Sequence, residues 1–329
     1  MKAAILENYN KKLKIIENIN LPRLKSGEVL VKIDYTSICY SQIMEIQGHR
    51  DNKKYLPHLL GHEGCGSVIK LGKKVSKFKV NDYVIIGWIK NSGINTSGTT
   101  FCCGKKKYNA GPVTTFSNYA IISENRLILK PKNISKYTAS LYGCAIPTGM
   151  GMIVNQIKDK VNKNLCIFGF GGVGIFSLIA AKYYKFKSIT IIDINKSRLK
   201  LAKKMGANTV INVNKIKKET KDKFDYVIDT AGKIETIQKS FDLIKNNGTC
   251  IFCSHPPKNL KIQIDPYDLI LGKKIIGSWG GDSFPEKDIK KYVKIIKNSK
   301  INLNNIFNKE YKFEDINLAI NDFKKGKVL

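Results

Sequence analysis

The 329-residue sequence is poor in acidic residues, arginine and proline. Its 57 Lys and Arg residues outnumber 26 Asp and Glu, which gives a formal net charge of +31. Only four of the basic residues are arginines, so the bidentate contacts typical of nucleic-acid readers are scarce. The lysines are spread along the chain, which favours a solvated surface and no specific nucleic-acid partner; a basic binding face is the alternative. With 9 Pro and 26 Gly, the sequence is neither collagenous nor of low complexity.

The sequence also lacks an export signal and a membrane span of ordinary length. The first 15 residues contain no apolar core of the signal-peptide type. One apolar stretch, residues 165–181, is short for a span, and its four clustered glycines favour a strand, a turn and a helix. Eight cysteines without an export signal indicate reduced thiols or metal ligands. We therefore expect a cytoplasmic protein that does not enter a membrane.

The hydrophobic pattern divides the chain into a β-rich part and an α/β part. A length of 329 residues exceeds what one core usually serves and predicts two domains. The first part reads as short strands, for example residues 28–34 and 80–87. After residue 147, the apolar strands CIFGF, SITIID, NTVINV, FDYVIDT, GTCIFC and KIIGSW alternate with helical segments. This alternation is typical of the α/β class with a parallel sheet and crossover helices.

A glycine-rich motif follows the first strand of the α/β part: Gly169, Gly171, Gly172 and Gly174. Between an apolar strand and an apolar helix, this spacing is the dinucleotide-binding fingerprint. The next strand ends at Asp193, whose carboxylate would accept the ribose hydroxyls of NAD and repel the 2′-phosphate of NADP. Arg198, five residues later, could weaken that preference. The motif predicts NAD binding; a doubly wound sheet that binds another nucleotide, or none, is the alternative.

Three widely separated residues are candidates for a shared metal ion. Cys39 lies in the segment SICYSQ, His62 in GHEGCG and Cys144 in YGCAIPTGMG. Spacing alone is weak evidence for such a site, because a lone His or Cys is more often simply buried. On the residues alone, both interpretations stay open.

Taken together, these segments resemble the zinc-type medium-chain alcohol dehydrogenase family. GHEGCG resembles the family signature G-H-E-x-x-G, and SICYSQ and YGCAIPTGMG resemble its other two zinc-ligand segments. GFGGVG and DINKSR resemble its NAD loop and ribose-binding strand end. The resemblance implies a GroES-like, β-rich catalytic domain (residues 1–147 and 284–329) and a doubly wound Rossmann domain (residues 148–283). It also implies a zinc-dependent oxidoreductase that transfers a hydride between an alcohol, or an aldehyde or ketone, and NAD.

The resemblance implies one catalytic zinc per chain, held by Cys39, His62 and Cys144. Two thiolates would cancel the charge of zinc, and three protein ligands leave the fourth tetrahedral position for water or substrate. Ser41 would take the substrate proton, and Glu63 would lie behind the metal. Thr148 and Val173 would contact the nicotinamide, with ordinary packing as the alternative. We also expect a homo-oligomer, either a dimer or a tetramer, that acts on small molecules.

The sequence departs from the family pattern at several positions. Relatives often bind a second, structural zinc with four closely spaced cysteines, whereas Cys102 and Cys103 are adjacent and stand alone in that region. We expect both thiols to be unligated. Gln42 stands where many relatives have an Asp that supports the His ligand. The nearest rival, a zinc-free oxidoreductase like the quinone reductases, would be expected to lack the three zinc ligands; a non-catalytic, basic nucleic-acid-binding protein on the same fold is the other alternative.

Overall fold

The computed structural model describes residues 1–50, 53–217, 220–257 and 259–329. The strands among these residues are β1 (Ala3–Leu6), β2 (Lys14–Ile16), β3 (Glu28–Thr36), β4 (His58–Leu59), β5 (Gly64–Leu71), β6 (Tyr83–Ile86), β7 (Thr100–Cys103), β8 (Lys106–Asn109), β9 (Tyr119–Ser123), β10 (Leu127–Leu129), β11 (Asn164–Phe168), β12 (Ser188–Asp193), β13 (Thr209–Asn212), β14 (Phe224–Asp229), β15 (Ile244–Phe252) and β16 (Lys274–Gly277). The α-helices are α1 (Tyr40–Ile46), α2 (Lys136–Ala139), α3 (Ala145–Gly151), α4 (Gly172–Tyr183), α5 (Lys196–Lys204), α6 (Ile234–Leu243), α7 (Pro266–Ile270), α8 (Pro285–Asn298), α9 (Leu303–Ile306) and α10 (Ile316–Lys324).

The first compact unit is β-rich and comprises Met1–Cys144, Phe284–Lys290 and Asn302–Leu329. Its two five-stranded sheets have the orders β2-β1-β4-β8-β7 and β10-β6-β5-β3-β9. The first half of the long strand β3 is buried on both faces, because Val29 and Val31 pack in one apolar core and Leu30 packs in another. Alternate side chains of a strand point to opposite faces, so this one strand joins the two cores.

The second compact unit comprises Ala145–Ser283 and Lys291–Ile301. Its six-stranded sheet is parallel throughout and has the order β13-β12-β11-β14-β15-β16. Strand β11 is central and almost fully apolar, as strands covered on both faces by helices must be. The sequence-based prediction of a parallel sheet with crossover helices is confirmed, and this order is that of a doubly wound dinucleotide-binding fold. The expected domain bounds stay a prediction.

The apolar stretch at residues 165–181 folds as β11, a glycine turn and most of α4. No helix in the described part of the chain is long and apolar enough to cross a membrane. Several elements were not predicted, among them α1, the β7–β8 hairpin, α3 and α7. The helical segment expected between the strands FDYVIDT and GTCIFC begins at Ile234 and ends at Leu243, and the next residue already belongs to β15.

Candidate active site

Four potential metal donors converge in the β-rich unit. Cys39 immediately precedes α1, His62 and Glu63 connect β4 to β5, and Cys144 follows a 3-10 turn (Ser140–Gly143). Their ligand atoms all lie within 4.8 Å of one another. Gly143 permits this approach, because a Cβ there would lie 2.2 Å from the carbonyl oxygen of Ile86 and 2.9 Å from Cβ of Glu63. Residues far apart in sequence are therefore brought together by the strand and turn geometry.

The two nitrogens of His62 have different surroundings. Nδ1 lies 2.6 Å from Nε2 of Gln42 and 3.3 Å from Oγ of Ser41. Nε2 is buried and has no hydrogen-bond partner among the described residues. A buried polar atom without a partner is costly, and an imidazole nitrogen in this state suits a metal ion.

The two thiols differ in acidity because they contact each other. The Cys144 thiol donates to Cys39 and holds the pKa of Cys39 well below its usual value, against the opposing effect of burial. The same contact, together with burial, raises the pKa of Cys144 well above its usual value. Burial lowers the pKa of His62, but the negative charge of the neighbouring Cys39 sulfur outweighs it and leaves that pKa raised. The site therefore concentrates negative charge on Cys39 beside a basic imidazole.

These residues fit a zinc ion. Thiolate, imidazole and carboxylate are the zinc ligands found in proteins, and Nε2 of His62 is oriented without another partner. The carboxylate of Glu63 is one of the four clustered donors, so it lies closer to the others than a purely supporting position requires. Backbone contacts hold Glu63 in place, since its carbonyl oxygen accepts from Oγ1 of Thr36 at 2.9 Å and of Thr115 at 3.1 Å. The separate roles of Glu63 and Ser41 stay predictions.

The glycine loop of the α/β unit has the backbone geometry of a dinucleotide-binding loop. Gly169 has a φ of +90°, which glycine adopts without strain, and a Cβ on Gly174 would lie 2.2 Å from the carbonyl oxygen of Gly169. In contrast, a Cβ on Gly171 or Gly172 would meet a single atom each, at 3.9 and 3.8 Å. The space over the middle of the loop is open, at the start of α4, where backbone N–H groups can bind phosphate.

Asp193 and Arg198 flank this loop. Asp193 is buried, and its carboxylate accepts from the backbone N–H of Phe170 at 2.6 Å and of Asn195 at 2.7 Å. The acid thus holds the loop, while each oxygen retains a further lone pair for a ribose hydroxyl. Nη1 of Arg198 is the single atom near the Cβ position of Gly171, and Nε is buried without a partner among the described residues.

Thr148 and Val173 lie where α3 and α4 pack closely. A Cβ on Gly149, next to Thr148, would lie 2.3 Å from the carbonyl oxygen of Val173. The hydroxyl of Thr148 is buried and has no hydrogen-bond partner in the described ranges. Such a hydroxyl is available to a ligand, although the nicotinamide contact of both residues stays a prediction.

The adjacent thiols Cys102 and Cys103 lie on β7. Neither belongs to the donor cluster found in the described part of the chain. Sγ of Cys103 donates to the carbonyl oxygen of Glu17 at 3.7 Å.

The family position of Gln42 indicated a contact with His62, which the structure shows through the amide nitrogen, but sequence reasoning did not predict its second contact, with Cys39. The spacing of a helix N-cap and a Gln three residues later could have indicated the contact with Cys39.

Comparison with known proteins agrees with this geometry. The family model for the alcohol dehydrogenase GroES-like domain matches residues 25–132, and that for the zinc-binding dehydrogenase matches residues 172–298. The alcohol dehydrogenase class-2 isozyme 2 of Oryctolagus cuniculus is 29% identical, over 100% of this chain and 96% of that protein. The S-(hydroxymethyl)glutathione dehydrogenase of Synechocystis sp. is 26% identical, over 100% of this chain and 98% of that protein.

Solved structures show the same fold. The benzyl alcohol dehydrogenase of Acinetobacter calcoaceticus superposes with a TM-score of 0.86 at 25% identity, covering 100% of this chain and 97% of that one. An alcohol dehydrogenase zinc-binding domain protein of Burkholderia ambifaria has a TM-score of 0.89 at 24% identity, covering 99% and 96%.

A doubly wound sheet with a glycine cradle, together with a cysteine–histidine donor cluster in a β-rich unit, defines a dinucleotide-dependent, metal-binding oxidoreductase. The chain belongs to the zinc-type medium-chain alcohol dehydrogenase family. The resemblance seen in the sequence is thereby confirmed.

Proposed function

We propose that this chain is an NAD-dependent, zinc-containing alcohol dehydrogenase. It transfers a hydride between an alcohol and NAD, or in the reverse direction reduces an aldehyde or ketone. The observation that carries the proposal is the convergence of Cys39, His62, Glu63 and Cys144, with Nε2 of His62 buried and unpartnered among the described residues. The relatives named as alcohol and S-(hydroxymethyl)glutathione dehydrogenases support the same activity.

Each functional group has an assigned task in this proposal. When bound, zinc polarises the oxygen of the substrate and NAD accepts the hydride. Cys39, His62 and Cys144 hold the metal, and Ser41 takes the proton that the substrate releases. The glycine loop and Arg198 bind the phosphates, because they offer backbone N–H groups and a guanidinium.

The remaining cofactor contacts come from three residues. Asp193 orients the adenosine ribose through the lone pairs that its loop contacts leave free. Thr148 and Val173 lie against the nicotinamide.

Catalysis and NAD binding are assigned to different compact units. We assign residues 1–147 and 284–329 to a catalytic domain and residues 148–283 to an NAD-binding domain. The donor cluster lies in the first unit and the glycine loop in the second, which supports this division. The protein would act in the cytoplasm on a small alcohol or carbonyl compound.

A screen of NAD reduction with metal analysis tests this function. Purified protein should contain about one zinc per chain, from the three-ligand site. Primary aliphatic alcohols, benzyl alcohol, polyols and S-(hydroxymethyl)glutathione should be compared, with and without 1,10-phenanthroline. Reduction of NAD by at least one class, lost with the chelator and restored by zinc, supports the proposal. Freshly purified protein without zinc, or turnover that is indifferent to the chelator, contradicts it.

We further propose that two chains pair through the β16 edge of the parallel sheet. Strand β16 ends the sheet order, so its outer edge has no neighbouring strand in the described chain. Helix α7, just before it, exposes Tyr267 and Ile270, the latter by 78%. An open strand edge flanked by apolar side chains favours pairing with another strand, and an identical edge can meet it across a twofold axis.

A further inference from the structure

The amide of Gln42 has a fixed orientation. Gln42 is the third residue of α1 and is buried. Its Oε1 accepts from the backbone N–H of Cys39 at 3.1 Å, and its Nε2 lies 2.6 Å from Nδ1 of His62. A backbone N–H can only donate, so it requires the oxygen of the amide. Turning the amide over would place two donors against each other at Cys39.

This orientation determines which nitrogen of His62 carries the proton. The Nε2 group of an amide only donates, so the facing Nδ1 must accept. In the neutral imidazole the single proton then lies on the other nitrogen, Nε2, which is the one left without a partner in the described structure. A nitrogen that carries a proton has no lone pair for a metal ion.

We propose that Gln42 is a positioning residue that holds His62 in the tautomer opposed to metal binding and so lowers the zinc affinity of this site. The inference rests on the proposed function, because it takes His62 to be a zinc ligand. Zinc binding requires the proton on Nδ1, which then needs an acceptor. Oγ of Ser41, 3.3 Å away, can accept from Nδ1–H if the Gln42 amide moves aside. Alternatively, the amide can turn over and accept through Oε1, but it then loses its bond to Cys39.

The substitution Gln42→Glu tests this with a change of one atom. A carboxylate places an acceptor on both atoms, so one oxygen can keep the Cys39 N–H and the other can accept from Nδ1–H. Carboxylate partners of metal-binding histidines change metal affinity by about 10–100-fold. We therefore expect Gln42→Glu to bind zinc about 10–100 times more tightly than the unmodified protein, measured by competition with a chromogenic chelator.

Two further variants separate the tautomer effect from the added charge. Gln47→Glu adds the same charge at the C-terminal end of α1 and should leave zinc affinity unchanged. Gln42→Met removes the donor without adding charge, and should bind zinc at least as tightly as the unmodified protein. If Gln42→Met binds more weakly, the amide supports the metal site and the proposal is wrong. Circular dichroism confirms that each variant is folded.

Nitrogen NMR of the metal-free protein shows directly which ring nitrogen of His62 carries the proton. The chain has four histidines, so the long-range ¹H–¹⁵N correlations of His62 can be assigned by its substitution. At alkaline pH, we expect the proton on Nε2 in the unmodified protein and on Nδ1 in Gln42→Glu. If the unmodified protein and Gln42→Glu bind zinc equally, or if both carry the proton on Nδ1, Gln42 does not control the tautomer. That result would leave the proposed function standing. If none of the proteins binds zinc, the proposed function itself fails.

Discussion

Cys144 is held beside Cys39 by a turn that has no room for a side chain at Gly143. Its thiol is the less acidic of the pair, because Cys39 takes up the negative charge. Metal binding therefore has to displace a proton from Cys144, and a hydroxyl in its place does not become an anion at neutral pH. The metal site thus depends on this one sulfur.

We expect Cys144→Ser to lose most of its zinc and to lower kcat by more than about 100-fold, since three protein ligands are the minimum of a catalytic site. NADH binding, followed by nicotinamide fluorescence, should remain, because the glycine loop is untouched. Cys102→Ser, a thiol on β7 outside the donor cluster, is the matched control and should keep both zinc and turnover. Retained zinc in Cys144→Ser would show that the ligand assignment is wrong.

Gly174 is the position at which the cofactor loop tolerates least change. A Cβ there would lie 2.2 Å from the backbone oxygen of Gly169, which cannot move without opening the turn. We expect Gly174→Ala to weaken NADH binding by about tenfold or more, since misplaced N–H groups lose the pyrophosphate. Isothermal titration measures this, with zinc content as the check on the other unit.

Gly111→Ala is the control for that measurement, because its Cβ would meet one atom only, at 3.9 Å. It should bind NADH normally. Equal affinities of the two variants would argue against the loop as the phosphate site.

At the scale of elements, a buried carboxylate holds the polar loop at residues 91–99 in place. Glu124 accepts from the backbone N–H of Ser76 at 2.8 Å, of Lys77 at 2.9 Å and of Ile94 at 3.0 Å. Burial raises the pKa of Glu124, but these three donors and the charge of Lys77 outweigh it and leave that pKa lowered. Of the three donors, Ile94 lies in this loop, so the carboxylate connects the loop to the segment at residues 76–77.

We expect Glu124→Gln to lower the Tm by about 3–8 °C at pH 7, since an unmade buried bond costs about 1–3 kcal/mol. Because the folded pKa is lowered, Glu124 stabilises the fold above its unfolded pKa of about 4.3, and this contribution is lost as the pH falls through the folded value. The Tm difference between the two proteins should therefore shrink below about pH 4. Glu310→Gln, an exposed acid, should show no difference at any pH.

The elements that the sequence predicted best are those with strong periodicity. Strand β12 begins at Ser188 and ends at Asp193, as predicted, because a run of β-branched residues between a turn and a helix N-cap leaves little choice. Helix α1 was missed because its seven residues are too few to show a helical period. The β7–β8 hairpin was not predicted, because its two four-residue strands, TFCC and KKYN, show little alternation of apolar and polar residues.

Candidate site residues could be proposed from the sequence where family motifs cover them, as for His62 and Gly169, and their roles stay predictions. The contact of Gln42 with Cys39 was not predicted, because it depends on the start of a helix that is too short to show in the sequence. The additional bonds of Asp193 to the loop likewise depend on backbone placement that no residue pattern encodes.

At the scale of the whole molecule, the open β16 edge predicts self-association. We expect a dimer or a larger even-numbered assembly by light scattering at micromolar concentration. Ile270→Glu should shift it towards monomer, because a charge would be buried in an apolar interface. Val161→Glu, at a side chain 70% exposed elsewhere in the same unit, should leave the assembly unchanged. A monomeric unmodified protein would exclude this pairing.

The two backbone bonds of Asp193 have a consequence for changing cofactor preference. The side chain proposed to distinguish NAD from NADP also ties Phe170 and Asn195 to the strand end. Replacing it with a small neutral residue would release two N–H donors at the moment that it admits a 2′-phosphate. Cofactor selectivity and loop rigidity are therefore encoded in one carboxylate, and an engineered or evolving NADP variant has to supply a new acceptor for those two groups together with a new cation.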